Sequence, residues 1–232
     1  PANPDGPYIQ RDGQTNPDNF VAHRQAMIRF SRVMGALAAG YVATKDNTYL
    51  QHELLHAKAW FEAAATRMNP SLLYAQAIKG KVTGRGIGII DTIHLMEVVQ
   101  ALRIMEKAGA IPAADLAAFR NWFSSYLQWL TTHPYGKAEM NAANNHGTCW
   151  VMQVAAFARF VNNREWINFC INRYKTVLLP TQMAANGSFP LELKRTKPYG
   201  YSLFNLDAMS TICQLLSTPE NNLWKYTPDN SR

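Results

Sequence analysis

Residues 39–49, Ala39-Gly40-Tyr41-Val42-Ala43-Thr44-Lys45-Asp46-Asn47-Thr48-Tyr49, hold the end of one helix, a polar turn and the start of the next. Before them Met27, Phe30, Met34, Leu37 and Tyr41 recur at three- and four-residue steps, the spacing of one helix face. After them Leu50, Leu54, Ala57 and Phe61 do the same, behind Asp46 as an acidic cap. The pattern returns at Ala158-Arg159-Phe160-Val161, a polar turn, Glu165 and Trp166. A recurring helix pair marks a repeat architecture. Short turns make successive helices antiparallel neighbours.

Working outward, the first helix is expected to start at Asn16-Pro17, a cap residue followed by proline. A third helix is read from about Ile89 to Ala108, with Val98, Leu102 and Met105 inward. A fourth begins at Pro112 and carries Leu116, Phe119, Phe123, Leu127 and Leu130; three more lie near 148–161, 163–178 and 201–217. No segment alternates long enough to be a strand. The expectation is an all-α chain, a single domain over residues 1–232, with 1–15 as an extended N-terminal segment and helical hairpins arranged as a toroid. Residues 66–88, 134–147 and 179–200 read as long loops, which in a compact domain are usually functional.

The composition, 47% hydrophobic and 11% aromatic over 232 residues, suffices for a substantial core. No apolar run approaches the ~20 residues that span a bilayer, so no membrane partner is expected. The polar, Pro/Gly/Asp-rich stretch Pro1–Pro17 reads as neither signal peptide nor helix; an exported parent would have shed its signal already. The net charge of +7 favours an anionic partner, with nucleic acid and acidic polysaccharide as the two classes. Lys and Arg are scattered and form no nucleic-acid motif, which disfavours the first. Cys149, Cys170 and Cys213 sit far apart in apolar segments and read as buried small hydrophobes.

Four clusters carry chemistry. His52-Glu53-Leu54-Leu55-His56 matches the zinc-binding H-E-x-x-H pattern, with Glu97 as a conceivable downstream ligand. Its extension fails, because Ala59 and Glu62 stand where glycine and a third histidine belong. A scaffold helix is the better reading, and no metal or cofactor is expected. Asn144-Asn145-His146-Gly147 opens a helix, where free N–H groups and the dipole favour a carboxylate; a capping asparagine with a structural histidine fits equally. Glu192-Leu193-Lys194-Arg195-Thr196-Lys197-Pro198-Tyr199-Gly200-Tyr201 packs three cations and two tyrosines around a turn. The fourth spans Asn69 to Asp91, where Tyr74, Gln76, Arg85 and His94 accompany Gly84-Arg85-Gly86-Ile87-Gly88. These glycines lack the preceding strand and following lysine of a nucleotide loop. A loop presenting Arg85 to a polyanion fits better.

In this order, from about Tyr8 to Ser217, the clusters resemble the alginate lyase family of α/α toroids. Its most specific pieces here are Arg11-Asp12-Gly13-Gln14, Met68-Asn69-Pro70 through Tyr74-Ala75-Gln76-Ala77, Gly84-Arg85-Gly86-Ile87-Gly88, Asn144-Asn145-His146-Gly147, and Glu192-Leu193-x-Arg195 leading to Tyr201-Ser202-Leu203-Phe204-Asn205. The resemblance implies a polysaccharide lyase acting on mannuronan or glucuronan by β-elimination. It implies a catalytic set of Asn145, His146, Arg195 and Tyr201, with Tyr199 as the other candidate tyrosine. Tyr74, Gln76, Arg85, His94, Asn144, Lys194, Lys197 and Tyr199 are then expected to bind substrate. It implies a secreted or periplasmic setting, and a toroid that about seven helices leave incomplete. A binding toroid without catalysis is the alternative, and a zinc peptidase through His52, Glu53 and His56 a weaker one.

β-Elimination from a uronate requires the carboxylate on C5 to be neutralised, H5 to be removed and the departing O4 to be protonated. Asn145 and Arg195 suit the first task. A tyrosine, with an ordinary pKa of ~10, needs a cation beside it to act as base; Lys194, Arg195 and Lys197 supply that neighbourhood for Tyr201. In mannuronate and glucuronate H5 and O4 share a ring face, so Tyr201 could serve both. In guluronate they lie on opposite faces, and His146 would be the base.

Overall fold

A helix longer than three turns needs a buried stripe, and this chain supplies several. A computed structural model describes residue 9 and residues 11–14 and 20–228. The cap expected at Asn16-Pro17, and most of the 1–15 segment, lie outside the described residues. Helix α1 (Ala22–Thr44) buries Met27, Phe30, Met34 and Ala38; it ends at Lys45 in a left-handed conformation (φ 61°). Asp46 then caps α2 (Asn47–Phe61), accepting from Thr48 N at 2.8 Å. The turn that opens the reading is thus a helix hairpin, and α1 packs along α2.

A 3₁₀ segment, Gly86–His94, leads into α3 (Leu95–Lys107), which also lies on α1. The helix expected from Ile89 therefore starts as 3₁₀. Its glycines explain part of this geometry: a Cβ on Gly84 would stand 1.8 Å from the Leu73 carbonyl oxygen, and one on Gly88 2.4 Å from the Ala75 Cβ. They are places of close backbone approach, not a phosphate cradle.

Helix α4 (Ala113–Thr132) contributes Phe119, Trp122, Phe123, Tyr126 and Leu130 to the core. Residues 134–147, read as loop, contain α5 (Pro134–Met140) and the first turn of α6 (Asn145–Phe160). Proline at the first position of α5 is suited to a helix start. Seven residues with Gly136 and Lys137 present too little periodicity to be seen in sequence. Helix α6 is buried on nearly every side and touches α3, α4, α5, α7 (Arg164–Arg173) and α10 (Pro198–Leu216). Asn163 caps α7, reproducing the α1–α2 hairpin. A π turn, Tyr174–Leu178, joins α7 to α8 (Leu179–Gln182), and α9 (Pro190–Leu193) precedes α10. Only helices and one isolated bridge, Ile78 to Val82, occur among the described residues. None of the helices is long and apolar enough to cross a membrane. Cys149, Cys170 and Cys213 are buried free thiols, as expected.

Candidate active site

Local chemistry builds the site from the N-terminus of α6. Asn144 is extended (φ −115°, ψ −163°), and its side chain accepts from His146 N at 3.3 Å. Its carbonyl accepts from Gly147 N at 3.0 Å and from Gln182 Nε2 at 3.1 Å. Gln182 Oε1 accepts in turn from Thr148 Oγ1 and Asn205 Nδ2, so α8 and α10 fix the first turn of α6. A Cβ on Gly147 would stand 2.2 Å from the Ala142 carbonyl oxygen, so glycine is required there.

Sequence reasoning offered this helix terminus to a substrate carboxylate, and the structure corrects it. Glu192, 1% exposed, already accepts from Asn145 N at 2.7 Å and from Asn145 Nδ2 at 2.8 Å. The protein thus satisfies its helix dipole with its own carboxylate. An amide carries a second N–H, and that hydrogen of Asn145 is not used by Glu192.

His146 is one-fifth exposed, and its Nδ1 lies 2.6 Å from Oε1 of Glu139, a carboxylate on α5 that is 2% exposed. An ionised carboxylate only accepts, so the proton sits on Nδ1 and Nε2 is left for chemistry.

Arg195 follows α9. Its Nε donates to Asp12 Oδ2 at 3.0 Å, and Nη1 lies 3.6 Å from Glu192 Oε2. The guanidinium carbon is 3.7 Å from the centroid of the Tyr201 ring. Arg195 and Asn145 therefore share Glu192, and Arg195 carries the site on to Tyr201. Tyr199 is 76% exposed, whereas Tyr201 is half-buried beneath the guanidinium. Of the two tyrosines, Tyr201 is the one brought to the cation. The donors assigned to the substrate's carboxylate are largely occupied: those of Arg195 face Asp12 and Glu192. Asp12, Glu139 and Glu192 were not singled out. Asp12 and Glu192 stand inside family-specific pieces, but no role could be read for them, since Asp12 is 183 residues from its partner.

A second group lies on the 71–94 segment. Arg85 Nε donates to the Gln76 carbonyl at 2.9 Å, and Gln76 Nε2 to Asp91 Oδ2 at 3.3 Å. Asp91 also accepts from Arg24 at 2.9 Å. Gln76 has φ +49°, a left-handed conformation held by these contacts. His94 is held below its ordinary pKa, by burial first and by the Arg24 charge next. Tyr74 is 75% exposed at the tip. Helix α5 touches both groups: Tyr135 donates to the Gly84 carbonyl at 2.9 Å, while Glu139 holds His146. Lys197 Nζ reaches the Gly13 carbonyl at 3.4 Å, and Lys194 is exposed.

The zinc reading meets a different geometry. His52 and His56 are exposed, while Glu53 points into the core. Glu97 packs against Gly35 of α1. No group of three metal-ligating side chains forms among the described residues.

Comparison with known proteins now decides the family. The alginate lyase family model matches residues 1–232. The chain belongs to the alginate lyase family. It is similar to an alginate lyase from Bacteroides ovatus, with 33% identity and a TM-score of 0.90, covering 96% of this chain and 59% of that one. Alginate lyase A1-III, solved as two variants each complexed with a tetrasaccharide, shares the fold at a TM-score of 0.71 and 17% identity. Those matches cover 96% of this chain and 58% and 60% of theirs. The chain thus spans about three-fifths of the solved relatives it matches. No curated protein sequence matches it.

Proposed function

We propose that this alginate lyase family member cleaves a polyuronate, mannuronan or glucuronan, by β-elimination at Tyr201. The observation that carries the reading is the guanidinium of Arg195 lying 3.7 Å from the Tyr201 ring, joined through Glu192 to Asn145 beside His146. A fixed cation stabilises the negative charge that develops on the phenol oxygen as its proton leaves. Tyr201 enters as phenolate and takes H5 to become phenol, the C4–O4 bond breaks as the C4–C5 double bond forms, and the phenol gives that proton to O4, which regenerates the phenolate. The second amide hydrogen of Asn145 holds the substrate's carboxylate, and His146 Nε2, which carries no proton, is kept as a base. On guluronate, whose H5 lies on the other ring face, His146 Nε2 is the base and Tyr201 the acid.

Arg85, Lys194 and Lys197 add positive charge to a chain of net charge +7, which supports an acidic polymer as substrate. Such a polymer is met outside the cytoplasm, so we place the enzyme in the periplasm or the medium. A binding toroid would share the positive charge but would release no unsaturated product. The test is a panel of polymannuronate, glucuronan, polyguluronate, their methyl esters and neutral mannans, read by the ultraviolet absorbance of the unsaturated uronate. Cleavage is expected of the free acids, with the first two preferred, and of no neutral polymer. Equal cleavage of neutral mannan would remove the carboxylate from the mechanism.

A further inference from the structure

The guanidinium of Arg195 is engaged on three sides. Nε lies 3.1 Å and 3.0 Å from the two oxygens of Asp12, and Nη2 donates to Oδ1 at 2.5 Å. Nη1 faces Glu192, and the flat face covers Tyr201. Asp12 is itself held by more than this arginine. Its Oδ2 accepts from Thr196 N at 3.1 Å and from Thr196 Oγ1 at 2.9 Å, and its carbonyl accepts from Thr196 Oγ1 at 3.3 Å. Gly13 follows with φ +68°; a Cβ there would stand 3.0 Å from Thr196 Oγ1 and 3.5 Å from the Tyr201 hydroxyl. Residues 12 and 13 therefore hold Arg195 and keep the flank of the phenol clear of side chain.

An arginine beside a uronate tends to turn its two-nitrogen edge to the carboxylate, because that fork-on-fork pair is the strongest it can form. Here the edge is already taken by the protein's own carboxylate. We propose that Asp12 is a positioning residue of the lyase site: it pins Arg195 against Tyr201, so that the cation stays with the proton-transferring phenol and is not drawn off by the substrate. The inference rests on Tyr201 being that phenol. The Asp12 carboxyl is held well below the usual carboxylate range, first by its hydrogen bonds from Arg195, so the clamp stays charged across the neutral range.

Asp12→Asn and Asp12→Ala test it, with folding checked by circular dichroism and melting. Because the clamp orients without binding substrate, kcat is expected to fall by roughly tenfold to a hundredfold while KM changes by less than about threefold. Formate added to Asp12→Ala, filling the vacated place beside Arg195, restores part of kcat. Unchanged kcat, a loss carried by KM, or a loss that formate leaves untouched would each overturn the proposal. A second measurement needs no turnover: the phenolate band of Tyr201, isolated by subtracting the Tyr201→Phe spectrum, is followed against pH. Deleting a negative charge alone would bring the band in at lower pH. Release of Arg195 moves it to higher pH, which is the expected result in both variants, and an unchanged or lower midpoint contradicts the clamp. Failure of the lyase reading would show separately, as an intact wild-type polymer panel.

Discussion

Glutamate and histidine meet in two helical regions of this molecule, with opposite outcomes. On α2, His52, Glu53 and His56 are neighbours in sequence, yet the imidazoles face solvent while Glu53 is fully buried. Neither Glu53 oxygen has a hydrogen-bond partner among the described residues, and burial pushes the carboxyl up to about 8. On α5 and α6, Glu139 and His146 are seven residues apart across a turn, and they meet at 2.6 Å. One rise of a helix turns a side chain by about 100°, so adjacent residues diverge. A change of helix can bring two side chains face to face. The conspicuous motif is scaffold, and the pair that meets is the one split between two helices.

Breaking the site to which the second region belongs, at Tyr201 on α10, has the largest expected effect. Tyr201→Phe, which removes only the proton-transferring oxygen, is expected to lower kcat by about 10²-fold or more while polymer binding holds. Steady-state kinetics beside a binding isotherm check this, and residual turnover above about a tenth of wild type would point to Tyr199 instead.

Glu139→Gln sharpens the comparison, because it keeps the shape but lets the side chain present an N–H to Nδ1 and turn the imidazole to its other tautomer. A loss of roughly tenfold to a hundredfold in kcat/KM is expected on polyguluronate, where His146 is the base. Nitrogen NMR of the His146 ring should show the proton moved to Nε2. A ring tautomer identical to wild type would mean that Glu139 does not set it.

The first region responds in stability, not in activity. The folded state keeps a proton on Glu53 that the unfolded chain, with an ordinary carboxyl near 4.5, releases between that pH and about 8. Folding stability therefore falls as pH rises through this window. Glu53→Met removes the penalty. Its melting temperature should exceed wild type by roughly 5 °C at pH 8 and by little at pH 4.5. A gain equal at both values would trace to packing. Smallest of all, His52→Ala with His56→Ala should leave lyase rate and its resistance to a chelator unchanged. Loss of rate on chelation, restored by zinc in wild type only, would revive the metal reading.

The helices were legible because their cause is local. Met27, Phe30 and Met34 repeat at helical spacing, and Asp46 and Asn163 are capping residues whose side chains do cap. Helix α5 was not, since it owes its existence to packing against α4, α6 and the 86–94 turn more than to its own seven residues. Asn145, His146, Arg195 and Tyr201 were reached through the family resemblance. Their partners had no readable role for a physical reason: Asp12 reaches Arg195 across 183 residues and Glu192 reaches Asn145 across 47, while Glu139 meets His146 only through the geometry of the turn between two helices. The error at the α6 terminus has the same origin. A free helix end looks open to a ligand until the fold delivers Glu192 to it.

The most direct test of the central claim is the mass of the fragments released from a defined mannuronate oligomer by the wild-type protein. Elimination consumes no water, so each fragment pair should sum to the mass of the parent, one member carrying an unsaturated end. Pairs that sum to the parent plus one water, or an oligomer returned intact at stoichiometric enzyme, would contradict the account.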